Sequence, residues 1–520
     1  MNKKKTNIDW WILVPTMLLI LFISASLILK PELSKAVINS IYDMTIDKFG
    51  WIYVLACLVS FGLLLWVTVS DCGNVKLGNK DTKPVYKEFE WAAMLFCSGV
   101  GSGVVILGFM EPLYYVQTPP FGIEPYSTKA YEYAHMYGQF HWGPSAWAFY
   151  IPAIIAIGII VYKKNEPALR LSVVPKYLSN NKTGRHIGRV VDVLVQFGII
   201  AGISTSLGLA VPVISLLISE TFNIPNEMPL RIAIICIWIA IFTFSVFRGL
   251  EKGIKMLSDI NMVIVIIFSI IVMFAAGVGD VFKMEINSIG LYFQDFMRMN
   301  TWLDPFGTGE FQRMWTVFYW GWWLSFMPLM ALFIVRISKG RSLRRVVWMQ
   351  LIWGSLGCWT CFMIFGGYSL KLQQSGKMDL IGMLNTSGQD ATIIELIRTM
   401  PLAPVVTVVF CVLLFVFLAT CIDSAAYVLA SGSVKKLGID EQPSRAYRVF
   451  WAAVLAVLSI ALLVINQLKA VQTLSLIAGL PLALVQLYMC YAAVKLLMDH
   501  RNKTGVFSED KSDKKNNQEK

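Results

Sequence analysis

Measured from one Asp, Glu, Lys or Arg to the next, the chain contains twelve long uncharged windows: 10–29, 49–70, 91–110, 133–162, 193–219, 232–247, 260–279, 314–335, 346–370, 399–422, 449–468 and 470–494. Most match the ~20 residues that a helix needs to cross the hydrocarbon core of a bilayer. The strands of a membrane barrel would be ~10 residues long and would alternate apolar with polar side chains. These windows are continuous apolar runs, which excludes a barrel. The pattern therefore predicts an all-α polytopic membrane protein with twelve transmembrane helices. The shortest window, 232–247, is rich in Ile, Trp and Phe, and Arg231 and Arg248 at its ends can extend their stems toward the two interfaces.

Between the windows, residues 287–299 place Ile289, Leu291, Tyr292, Phe296 and Met297 at mixed helical spacing. That suits a helix lying at the outer interface, and an ordinary helical loop turn fits equally well. Residues 502–520, rich in Lys, Asp, Asn and Ser, read as a solvated terminus. Lys3, Lys4 and Lys5 imitate the start of a signal peptide, but the stretch that follows is span-length and lacks a small-residue cleavage site. No Gly/Ser-rich linker divides the chain, so the membrane core is one unit.

Composition agrees: of 520 residues, 56% are apolar and 15% charged, with a mean hydropathy of +0.61. A formal charge of +12 could suggest nucleic acid, but in a membrane protein the position of the basic residues carries the information. With the N-terminus inside, 33 of the 45 Lys and Arg fall on the cytoplasmic side. That bias predicts a multi-pass protein of the cytoplasmic membrane with both termini inside, and no nucleic-acid partner.

Nine cysteines scattered through or beside the apolar windows do not form a secreted disulfide framework. Cys358 and Cys361 form a C-x-x-C within a window; with no His or second cysteine pair beside them, they read as small packing residues one turn apart. No Walker motif, H-E-x-x-H or G-x-S-x-G is present, so neither an ATP-driven pump nor an intramembrane hydrolase is expected. The protein is expected not to be an enzyme, and to hold no cofactor or resident metal.

Two local irregularities carry more. Gly99-Val100-Gly101-Ser102-Gly103 weakens the third window and exposes backbone amides and carbonyls to a ligand. Such an opened helix survives in a membrane only when it is buried in protein or lines a cavity. Gly198 and Gly202 form a second small-residue pair, which reads as close packing. The eighth window holds Trp315-Thr316-Val317-Phe318-Tyr319-Trp320-Gly321-Trp322-Trp323 and Phe326, of which Trp322, Trp323 and Phe326 lie ~15–20 Å along the helix from Arg313. Aromatic faces at that depth suit a cation that cannot donate hydrogen bonds, above all a quaternary ammonium, at ~2 kcal/mol per desolvated contact. Phe140-His141-Trp142, Trp147 and Tyr150 in the fourth window form a second aromatic set, with Tyr114 and Tyr115 after the glycine run. His141 reads as a structural hydrogen-bond partner, Glu111 before Pro112 as the end or a bend of its helix, and Asp423 as a structural acid near the cytoplasmic end of its span.

The stretch 315–323, Arg336-Ile337-Ser338-Lys339-Gly340-Arg341, Glu111-Pro112 with Thr118-Pro119-Pro120-Phe121-Gly122, and Phe140-His141-Trp142 resemble the betaine/carnitine/choline transporter family over essentially all twelve spans. The resemblance implies a 5+5 inverted-repeat core: 1–88 as tail and accessory spans 1 and 2, 89–286 as the first repeat, 287–310 as interfacial helix and connector, 311–497 as the second repeat, and 498–520 as cytoplasmic tail. It also implies a homotrimer embedded in lipid. The family's aromatic box maps onto Tyr114, Trp142, Trp322 and Trp323. Phe326, Trp147 and Tyr150 map onto the permeation path, with Phe326 also expected to touch substrate. Gly99, Gly101 and Gly103 map onto the unwound stretch of span 3. Choline-preferring relatives carry an aspartate where this chain has Gly103, so a zwitterion is the better fit.

For coupling, the resemblance points to Thr420, Cys421, Asn261 and Lys255. Sodium-dependent relatives place neighbouring hydroxyls in span 10, whereas here a thiol, a poor ligand for a hard cation, follows Thr420. Met330 resembles the methionine of sodium-independent carnitine exchangers, while their span 7 arginine has no counterpart in Ser258-Asp259-Ile260-Asn261-Met262. The expected function is alternating-access transport of glycine betaine, carnitine or butyrobetaine, with sodium-independent exchange slightly favoured and Na+ the coupling ion otherwise. The alternatives are sodium-coupled glycine betaine or choline uptake, an amino-acid carrier of the same core, and a membrane osmosensor.

Overall fold

The computed structural model describes residues 7–504 apart from 165, 167–168, 249, 436, 438–440 and 466–467. Much of the expected tail, from 505 on, lies outside the described residues. Twelve membrane crossings emerge when one bent helix pair counts as a single span. In order they are span 1, Trp10–Leu29; span 2, Pro31–Val69; span 3, Glu88–Val100 with Gly103–Gln117; span 4, Thr128–Lys163; span 5, Lys182–Phe222; and span 6, Met228–Val246. Span 7 is Lys255–Ala276; span 8, Gln312–Ile337; span 9, Leu343–Gln374; span 10, Ala403–Gly432; span 11, Arg445–Leu463; and span 12, Gln472–Asn502. Each expected window has its helix.

Packing partners repeat with a shift of five spans. Span 3 packs on spans 7 and 10, and span 8 packs on spans 12 and 5. Span 7 packs on span 10 as span 12 does on span 5, and span 6 meets span 10 as span 11 meets span 5. Five is odd, so the second set enters the membrane from the opposite side to the first, which is an inverted repeat. Span 2 lies outside this pairing and covers span 12. The windows of spans 4 and 8 are wholly buried, whereas those of spans 1, 6 and 7 are mostly open to the surroundings.

Helix breaks fall where the core needs backbone. Span 3 bends by 56° between Val100 and Gly103, and Gly101 takes φ +61° and ψ −165°, a conformation essentially confined to glycine. Span 4 also breaks: its first helix ends at His141, Trp142 caps it, and Pro144 starts the next segment. Span 9 contains two π-helical turns, Gln350–Gly354 and Phe362–Gly366. Glu111 and Pro112, expected to end or bend span 3, lie inside a helix that continues to Gln117. The Glu111 side chain is buried there and hydrogen-bonded to Tyr115 and Trp142.

The interfacial helix runs Val278–Thr301 and so begins before the expected 287, because Gly277 at φ +86° turns the chain directly out of span 7. Phe282, Ile286, Ile289, Phe293 and Met297 form one exposed apolar face. Its other face clasps span 4: Asp295 accepts from Tyr133, Ser288 bonds His135 Nδ1 at 2.6 Å, and Glu285 Oε2 accepts from Gln139 Nε2 at 2.7 Å. Burial pushes the Glu285 carboxyl up to about 7, against the lowering effect of the Gln139 bond. An acid whose pKa is raised by docking stabilises the docked state below its ordinary range, and that stability is lost as pH rises through about 7. Amide exchange over 278–301 should therefore be better protected at acid than at alkaline pH after correction for intrinsic rates, and Glu285→Gln should flatten the difference.

Asp423, expected to be structural, joins three spans. Arg448 of span 11 donates to its Oδ1 at 2.6 Å, with both side chains 1% exposed, and Ser245 of span 6 donates to Oδ2. Removing one partner strands a buried charge, so Arg448→Met should cost about 3–5 kcal/mol in detergent-solubilised protein. The double change with Asp423→Asn should recover most of that loss in thermal unfolding.

Candidate functional site

Three indoles meet midway through the bundle, carried by the break in span 4 and one turn of span 8. The ring of Trp142 stands edge-to-face to Trp322 and to Trp323, with centroids 5.7 Å away in each case. Phe326 extends the set at 6.2 Å from Trp322, while Trp147 and Tyr150 pack against Trp323 at 5.4 and 5.5 Å. These side chains, except Trp147, line a narrow void of about 10 Å³ together with Gly99 and Val100, so the rings stand nearly closed on one another.

The polar edges of the indoles are already engaged. Trp142 Nε1 donates to Glu111 Oε1 at 3.3 Å, Trp322 Nε1 to the Gly202 carbonyl at 3.4 Å, and Trp323 Nε1 to the His141 carbonyl at 3.1 Å. What remains for a ligand is the π surface. His141 holds this scaffold through Nδ1 to the Tyr115 hydroxyl at 2.9 Å and Nε2 to Thr316 at 3.0 Å, the structural role expected of it.

The glycine run faces the void. A Cβ on Gly103 would stand 3.0 Å from Trp322 Cη2 and 3.6 Å from Trp142 Cη2, and one on Gly99 would meet Met330 Cε at 2.7 Å. Span 3 thus lies against the rings with its own backbone. The helix Gly103–Gln117 starts here, so its first amides and positive dipole end lie beside the cage. The hydroxyls of Ser102 and Tyr150 are buried with no hydrogen-bond partner among the described residues. Ser102 was not among the expected site residues, although it sits inside the glycine run.

The expected residues do not all converge. Trp142, Trp322, Trp323, Phe326 and Tyr150 share one void with Gly99. Tyr114 packs on Trp315 at a tilt of 46° with centroids 5.4 Å apart and lines a separate, wider vestibule with Tyr42, Asp43 and Arg313. It lies about three turns along the helix from Gly103, which takes it beyond the plane of the indoles. Gly202, read as packing, does pack on Phe326 and also holds Trp322 through its carbonyl.

In the expected coupling region, Thr420 donates its hydroxyl to the Val416 carbonyl at 2.9 Å. Cys421 Sγ approaches the Cys97 and Ser98 carbonyls at 3.5 and 3.6 Å. Asn261 is buried on span 7 beside Cys97. Lys255 pairs with Glu90 at 2.8 Å at the ends of spans 7 and 3. Cys358 and Cys361 are buried free thiols, and among the described residues no group of His, Cys, Asp and Glu could hold a metal ion.

A helix-only membrane bundle with a repeated five-span core, and a void walled by aromatic faces beside a broken helix, defines a membrane carrier by architecture. A sequence profile described as "BCCT, betaine/carnitine/choline family transporter" matches residues 11–502. A carnitine transporter of Acinetobacter baumannii is 31% identical over 445 residues, covering 85% of this chain and 80% of its own. The solved structure of a Na+-coupled sialic acid symporter in a substrate-bound outward-open state matches at 14% identity and a TM-score of 0.40, covering 82% of each chain. The chain belongs to the betaine/carnitine/choline family of transporters, and is a transporter rather than an enzyme.

Gly101→Ala should destabilise the protein by about 1–3 kcal/mol, because alanine cannot adopt that backbone without strain. Gly99→Ala meets the flexible end of Met330 at 2.7 Å and the Trp147 ring at 3.3 Å, with no backbone strain, and should cost less. Thermal unfolding of both variants checks this order, and the reverse order contradicts it.

Proposed function

We propose that the protein is a secondary transporter of trimethylammonium zwitterions, the class of glycine betaine, carnitine and butyrobetaine, working by alternating access in the cytoplasmic membrane with both termini inside. The observation that carries this reading is the cage of Trp142, Trp322 and Trp323, whose N–H groups are spent on protein oxygens so that only ring faces meet the void. A trimethylammonium presents no donors and is held by such faces at ~2 kcal/mol per desolvated contact. A primary amine brings three donors, for which the indole faces supply no acceptor. The carboxylate end of a zwitterion is served by the start of the Gly103–Gln117 helix and the unpartnered Ser102 hydroxyl. The carnitine transporter that is 31% identical supports the same class. Tyr114 and Trp315 would form an aromatic surface at the entrance.

For coupling, we favour exchange without sodium. The Cys421 thiol stands at the Cys97 and Ser98 carbonyls that a hard cation would need. Sodium symport is the second reading, favoured by the neighbouring hydroxyls of Ser98 and Ser424, 3.0 Å apart. The homotrimer implied by family resemblance would have its subunit contacts near helix Val278–Thr301.

Uptake of labelled betaine and carnitine into proteoliposomes, with and without a sodium gradient and internal substrate, tests the reading. The expected result is sodium-independent uptake that requires internal substrate; accumulation into empty vesicles driven by sodium would establish symport. Trp323→Ala should lower affinity by about thirtyfold, the loss of one desolvated cation–π contact. Tyr114→Ala should change affinity at the cage by about twofold or less.

A further inference from the structure

One buried acid has so far appeared only as the acceptor of an indole N–H. Glu111 is fully buried within span 3, and no basic side chain faces it among the described residues. Its Oε1 accepts from Trp142 Nε1 at 3.3 Å and its Oε2 from the Tyr115 hydroxyl at 2.7 Å. Tyr115 in turn meets His141 Nδ1 at 2.9 Å, and His141 Nε2 meets the Thr316 hydroxyl at 3.0 Å.

The chain of hydrogen bonds can run either way: with Glu111 protonated as its first donor or, with a cation in the void, toward a charged carboxylate. In the second case Tyr115 donates to Glu111, its oxygen accepts from His141 Nδ1–H, and Nε2 accepts from Thr316. Every proton then points toward Glu111, and the Trp142 N–H does the same from the other side. Such a carboxylate, buried in a membrane without a cation, is costly unless something offsets it.

A cation bound in the void would do so, and Trp142 sets the separation. The N–H edge of its indole rests on Glu111, while its far edge lies 3.6 Å from where a Cβ on Gly103 would be, against the void. One ring therefore separates the carboxylate from the place where a cation would sit. The amides opening the Gly103–Gln117 helix are left for the substrate's negative end.

We infer that Glu111 is a specificity-determining positioning residue: it fixes the Trp142 ring through the indole N–H and supplies the negative potential by which the void prefers a trimethylammonium to an uncharged group of the same shape. The inference rests on the quaternary-ammonium reading above.

The test compares two ligands on the purified full-length protein, glycine betaine and tert-butylacetate. The second has the same carboxylate, with carbon in place of the charged nitrogen. The wild type should prefer betaine, Glu111→Gln should lose about tenfold of that preference, and Glu111→Asp, which keeps the charge, should retain most of it. An unchanged preference in Glu111→Gln overturns the inference. So does an equal loss of both ligands in both variants, which is what a merely structural role would give.

If Glu111→Gln does not fold, the wild type measured from pH 9 down to 6 gives the answer. The titratable groups facing Glu111 are Tyr115 on its own helix and His141 on span 4, and span 8 presents Thr316. Preference for betaine should fall on acidification as the carboxylate takes up a proton, and a constant preference overturns the inference. A wild type that shows no preference for betaine contradicts the quaternary-ammonium reading itself, and with it this one.

Discussion

A desolvated positive charge with no hydrogen to donate can be held inside a membrane only by electron-rich surfaces or by opposite charge. If the ligand is the trimethylammonium zwitterion proposed above, the core of this protein is organised around the first of these. To offer ring faces alone, each indole needs an internal acceptor for its N–H, and those acceptors come from three places: the side chain of span 3, the backbone of span 5 and the backbone of span 4. The cage is thus not a patch on one helix. It exists only when spans 3, 4, 5 and 8 are in register.

That requirement explains why the helix breaks fall where they do. Span 4 stops at His141 so that its carbonyl can accept from Trp323 and Trp142 can swing into the cage. Span 3 opens at Gly101 so that backbone, not side chain, lies against the rings. The interfacial helix bonds Tyr133, His135 and Gln139 along span 4, immediately before the break, and so braces the segment that carries Trp142. In a carrier that must change shape, a site at the junction of a broken helix and a bracing helix ties ligand contact to the position of whole spans.

How much of this was legible in the chain follows from the kind of signal each feature leaves. Spans announce themselves by the absence of charge over a fixed length, and all twelve windows have a helix. Glycines at alternate positions announce the opening of span 3. The depth of Trp322, Trp323 and Phe326 follows from helical rise, and they do share a void. Tyr114, expected in the same box, lines the vestibule instead, because family resemblance gives no distance along the helix from Gly103. Glu111 beside Pro112 looked like a helix end because proline usually signals one, whereas its partners Tyr115, on the same helix, and Trp142, on another span, are tertiary facts. The early start of the interfacial helix at Val278 was obscured by Asp280 and Lys283, charges that its exposed side accommodates.

The central claim is that the electron density of an indole face holds the ligand, and it can be tested one ring at a time. Replacing Trp323 by tryptophans with one, two, three and four fluorines leaves shape nearly unchanged while draining the face of negative potential. If the cage binds by cation–π attraction, the logarithm of betaine affinity should fall in even steps with each fluorine. A series that stays flat would show that Trp323 contributes only shape, and would contradict the account.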